Sequence, residues 1–127
     1  MFRQRDTFWI LSSDSGIEHL HVIISNPEIN HEDIVVVPLT TRETWVEETC
    51  VLYVGDHPAI KHDTCVDYRR AKIVSAIKLD DTLKKQQIRK SAPISGEILE
   101  RILSGAKETN FLPIEHDNIL VAQKLID

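Results

Sequence analysis

The sequence predicts a mainly β domain with α: five or six short strands forming a small barrel or half-barrel, closed by one late helix. Three observations carry this expectation. Runs rich in β-branched residues, Val22-Ile23-Ile24 and Ile34-Val35-Val36-Val37, recur in the first half of the chain, and such side chains pack well on a pleated surface. Polar stretches punctuated by proline or glycine separate the runs, as at Ser25-Asn26-Pro27 and Gly55-Asp56. Helical periodicity appears only late, where Ile98, Leu99, Ile102, Leu103 and Ala106 form one apolar stripe.

Residues 7–11 (TFWIL) read as the first strand, followed by a turn over residues 12–16 (SSDSG). Residues 17–24 and 34–39 are the second and third strands, joined by the polar loop 25–33. Pro38 sits near the end of the third strand, where a missing N–H is tolerated. Residues 49–54 (TCVLYV) form a further strand, ended by Gly55-Asp56. The polar loop that follows carries His57 and His62. Residues 64–68 are extended, and the extended character runs on imperfectly through residues 72–77. Ser95 is the expected N-cap of the helix, with Glu97 in its first turn, and the helix spans about residues 95–107. The tail, residues 108–127, is either a last strand or a short helix. No repeat, low-complexity tract or linker divides the chain, so residues 1–127 read as one domain with a core over 7–107 and a C-terminal extension.

A chain of 127 residues is long enough to bury a real core without staples. Its 42% hydrophobic and 28% charged residues suit a soluble globular protein. No apolar run approaches the roughly 18 residues that span a bilayer, and the apolar patch at residues 8–11 is too short for a signal-peptide core. A cytoplasmic protein without membrane contact is expected. Cys50 and Cys65 are too few and too widely spaced for a disulfide framework and read as buried or half-buried thiols. The net charge of −5 argues against bulk affinity for nucleic acid, yet the charge is uneven. Residues 61–90 hold nine basic and four acidic side chains, so this sector is basic on an otherwise acidic molecule and suits steering of a polyanion to one face.

Chemistry concentrates at the outer ends of the second and third strands. His19 and His21 precede the first β-branched run; Thr40 and Thr41 follow the second. If these strands pair antiparallel, the two ends lie side by side. A histidine's ordinary pKa near about 6.5 lets it remove and return a proton at neutral pH. Arg69, Arg70 and Lys72 form a binding signal more than a catalytic one, because phosphate contacts give affinity without sequence choice. Tyr68 or Trp45 would stack a base. The histidines at 19, 21, 57 and 62 match no zinc spacing, so neither metal nor other cofactor is expected. No Gly-rich phosphate loop is present.

The order of these features resembles the PemK/MazF family of toxins from bacterial toxin–antitoxin systems. The resemblance rests on HVIISNP followed by VVVPLTT, on the basic stretch VDYRRAKIV and on the helix ISGEILERILSGA, together covering roughly residues 7–107. It implies an SH3-like barrel acting as a homodimer, cutting single-stranded RNA and blocked by a cognate antitoxin. In such cleavage a base helps the 2′-hydroxyl attack the adjacent phosphate. The family's serine or threonine position falls on Thr40 or Thr41. Its arginine position falls near Leu20, between His19 and His21. Three alternatives follow: a histidine takes the arginine's place, Arg69 or Arg70 reaches in, or the barrel binds a protein or nucleic acid without cutting.

Overall fold

The computed structural model describes residues 1–10 and 18–127. Among the described residues it is a mixed α/β domain whose seven strands form an antiparallel sheet, with three helices. The strands are β1 (Thr7–Ile10), β2 (Leu20–Ile23), β3 (Ile34–Thr41), β4 (Val51–Leu52), β5 (Thr64–Val66), β6 (Lys72–Val74) and β7 (Ile88–Ser91). The helices are α1 (Ala76–Lys84), α2 (Gly96–Glu108) and α3 (Ile114–Ala122). The sheet runs β4-β5-β3-β2-β1-β7, and β6 also pairs with β3. The turn expected at residues 12–16, with Leu11 and Ile17 beside it, lies outside the described residues. Among the described residues, no helix is long and apolar enough to cross a membrane.

The two β-branched runs lie at the centre of the sheet and are covered on both faces. Val22, Ile24, Val35, Val37 and Leu39 pack with Ile98, Leu99, Ile102 and Leu103 of α2 and Leu120 of α3. Their neighbours Ile23, Ile34 and Val36 pack on the opposite face with Phe8, Leu79 of α1 and Ile88. Successive side chains of a strand point to opposite faces. A strand buried on both therefore reads as a continuous apolar run rather than an alternation.

Three elements depart from the expectation, and the tail settles on one of its two expected alternatives. Residues 72–77 are not one extended segment: β6 stops at Val74, and the Ser75 hydroxyl accepts from the Lys78 amide at 3.1 Å, capping α1. That cap satisfies one of the donors orphaned at a helix N-terminus. The tail resolves to α3, and β7 forms an edge strand from IRKS. The expected strand at residues 49–54 contracts to Val51–Leu52 because Asp56 accepts from the Tyr53 amide at 2.8 Å, turning the chain. The late helix begins as expected, with the Ser95 hydroxyl accepting from the Ile98 amide at 3.2 Å.

One irregularity shapes the site. β5 and β6 both pair with the same strand, and each runs antiparallel to it: Val66 lies opposite Leu39 and Lys72 opposite Val36. Six steps of chain thus face three, and the excess is taken up by a 3-10 turn at Tyr68–Arg70. The turn acts as a large bulge that re-aims side chains. Tyr68 points into the core and donates to the Ile102 carbonyl at 2.6 Å. Helix α2 approaches this hydroxyl so closely that a Cβ on Gly105 would lie 2.2 Å from it. Arg69 and Arg70 point outward and are exposed.

Candidate functional site

The antiparallel pairing of β2 with β3 and of β3 with β5 gathers His19, Thr40, Thr41 and His62 around one cavity of about 140 Å³. Trp9, Glu18 and Thr64 complete its polar and aromatic wall. The His19 Nδ1 lies 3.2 Å from the Leu39 carbonyl. A carbonyl only accepts, so Nδ1 carries the proton, and in the neutral ring Nε2 holds the lone pair. The Thr41 hydroxyl lies 2.8 Å from His62 Nε2. Arg42, next in the chain, is taken up by ion pairs with Glu48 and, at 3.1 Å, Asp63.

Thr40 also borders a second cleft, lined by Trp45, Val46, Glu47, Asp67, Arg69 and Arg70. The bulge turns both arginines toward it. Trp45 is 77% exposed, a large apolar surface left open to solvent. The Arg69 guanidinium lies 4.5 Å from the Phe111 ring centroid, and Arg70 pairs with Asp67 at 3.6 Å.

His21 does not join His19. It is 4% exposed, on the α1 face, with its ring stacked on Phe8 at 5.6 Å. Its Nδ1 donates to the His19 carbonyl at 2.9 Å. Burial lowers its pKa to about 4; the hydrogen bond to His19 opposes that shift and the Lys72 ammonium adds to it. A ring this reluctant to charge stays neutral across the physiological range. Lys72 lines the same cavity as His21 and not the cleft of Arg69 and Arg70. Tyr68, expected to stack a base, is fully buried, because the bulge turns it inward.

His62 was not singled out with Thr41 from the sequence. The signal available was its place two residues before a strand, which a β3–β5 pairing brings beside the threonines. His57 is structural: buried, with Nε2 donating to the Ala92 carbonyl at 2.6 Å and Nδ1 accepting from the Ala59 amide at 3.0 Å. Cys50 and Cys65 are buried, and burial pushes both thiols up, away from the thiolate a nucleophile needs. Among the described residues, no three His, Cys, Asp or Glu side chains cluster as metal ligands would.

No family model matches the chain. Nor does any curated protein.

Proposed function

We propose that this is a toxin-like RNA-binding protein, a divergent relative of the PemK/MazF toxins that works as a metal-independent endoribonuclease. The observation that supports the proposal is the sharing of Thr40 between two adjoining cavities, one holding His19, Thr41 and His62, the other Trp45, Arg69 and Arg70. Proton-transfer groups and cationic, aromatic binding groups then meet along one path. In this proposal the sheet, with β3 shared among β2, β5 and β6, is the wall of an SH3-like barrel. The protein works in the cytoplasm as a homodimer, and a cognate antitoxin occupies the RNA path.

Single-stranded RNA lies with its phosphates on Arg69 and Arg70 and a base on the Trp45 face, since aromatics and guanidinium groups hold unpaired strands this way. His19 Nε2 takes the proton of a 2′-hydroxyl, whose oxygen attacks the adjacent phosphorus. The bond from phosphorus to the 5′-oxygen breaks, leaving a 2′,3′-cyclic phosphate. The departing 5′-oxygen takes a proton from the His62 imidazolium, which the Thr41 hydroxyl holds in place. Thr40 donates to a non-bridging oxygen as charge builds there.

The test is incubation of the purified protein with long single-stranded RNA of mixed sequence in EDTA. Fragments ending in 2′,3′-cyclic phosphate are expected; RNA that stays intact sinks the proposal. One observation favours a second reading, a catalytically inactive barrel that binds nucleic acid or protein: among the described residues, no lysine or arginine lines the His19 cavity. Saturable RNA binding through Arg69 and Arg70 without any cleavage decides for it.

A further inference from the structure

The cavity on the opposite face of the sheet has a different character. It encloses about 380 Å³ between β1, β3, β6, β7 and α1. Ligand pockets run from roughly 300 to 1,000 Å³, so this one suits a small molecule. Its walls are apolar: Phe8, Ile10, Val36, Val74, Leu79 and Ile88. Lys72 and Lys78 stand at its margin, both exposed, and among the described residues no carboxylate lines it.

The two lysines differ from most of the basic residues around them. Lys85, Arg89 and Lys90 each pair with an acid. Among the described residues, neither Lys72 nor Lys78 does. Two unneutralised ammonium groups at the margin of an apolar chamber favour an anion there over a cation. Inside, His21 Nδ1–H is engaged as donor to the His19 carbonyl, which leaves Nε2 as an acceptor. Thr82 and Gln87 supply further polar atoms. An apolar body with an anionic head matches this distribution; a cation or a strongly hydrated ion does not.

We propose that the chamber between α1 and the sheet binds a small carboxylic acid with an apolar body, its carboxylate held by Lys72 and Lys78 and its body enclosed by Phe8, Ile10, Leu79 and Ile88. The proposal does not rest on the nuclease reading, because the chamber holds none of the residues assigned to that chemistry.

The full-length protein is titrated with 2-naphthoate while its backbone amides are followed by NMR. Binding with a Kd below about 1 mM is expected, with shifts centred on Phe8, Ile10, Leu79 and Ile88. The neutral 2-naphthylmethanol and the doubly substituted Lys72→Gln, Lys78→Gln protein should each weaken binding about tenfold or more. Both lysines are exposed, so the fold survives their loss. Inorganic phosphate should leave the apolar amides unmoved. Absence of binding at several times the expected Kd overturns the proposal. So does equal affinity for the neutral alcohol, an undiminished affinity in the double variant, shifts centred elsewhere, or the same shifts from phosphate alone.

Discussion

His19 and His21 stand two residues apart and share a hydrogen bond, yet they belong to different environments. His19 precedes the strand, is half-buried, and faces Thr40, Thr41 and His62. His21 lies within β2, stacked on Phe8 and nearly excluded from water. The start of the strand at Leu20 separates them. Residues inside a strand are dealt alternately to its faces; a residue before the strand is free of that rule. Identical side chains thus become a proton-transfer candidate in one place and a neutral packing element in the other.

The sharpest way to break this contrast is to remove each imidazole in turn. His19→Ala is expected to lower RNA cleavage by about 10²–10⁴-fold, the usual worth of a positioned acid or base. His21→Phe, which keeps an aromatic ring on Phe8, should leave the rate within a few-fold. Single-turnover cleavage assays on both variants check this, and equal losses would erase the distinction.

The second expectation concerns acid. The unfolded His21 titrates near 6.5 and the folded one near 4, so between these values the unfolded chain binds more protons. Stability is therefore complete above about pH 6.5 and falls as the pH drops toward 4, by up to about 3 kcal/mol. Burial lowers His116 as well, in the same direction. Urea titrations from pH 7 to 4 should show the fall, and His21→Phe should remove most of it.

A third, smaller effect comes from the bulge. Gly105→Ala places a methyl against the Tyr68 hydroxyl and is expected to cost about 1–3 kcal/mol through overpacking. Combining it with Tyr68→Phe, which removes the oxygen, should recover part of the loss in thermal melts. The smallest effect is on binding: Arg70→Gln should reduce the dependence of log Kd on log salt by about one phosphate contact. Fluorescence titrations of a labelled single-stranded RNA at several salt concentrations measure it.

The parts of the fold legible in the sequence are those governed by local rules. The β-branched runs, the Ser95 cap and the stripe from Ile98 to Ala106 each state their structure within a few residues. Helix α1 was not legible, because Ala76-Ile77-Lys78-Leu79-Asp80-Asp81 buries only Leu79. A single buried residue sets no period. Helix α3 is apolar on several sides, and its short run does not choose between strand and helix. The bulge was hidden for another reason: VDYRRAKIV reads as plausible alternation, and only the pairing register with β3 exposes three surplus residues. That is long-range information. It sent Tyr68 inward and Lys72 to the other cavity, while Arg69 and Arg70 kept their expected exposure.

The placement of β1 carries a consequence for how the chain assembles. Its pairing with β7 joins residues near the start of the chain to Ile88–Ser91, and the Thr7 hydroxyl donates to the Ala92 carbonyl across 85 positions. During synthesis β2 arrives soon after β1, but the partner for its other edge emerges only after the strands β2 to β6 and helix α1. Contacts of such sequence separation are slow to close, and an unpaired strand edge invites association with other chains meanwhile. Slow steps in refolding should therefore track the edge between β1 and β7, and truncation before Ile88 should yield a species that aggregates rather than a smaller stable domain.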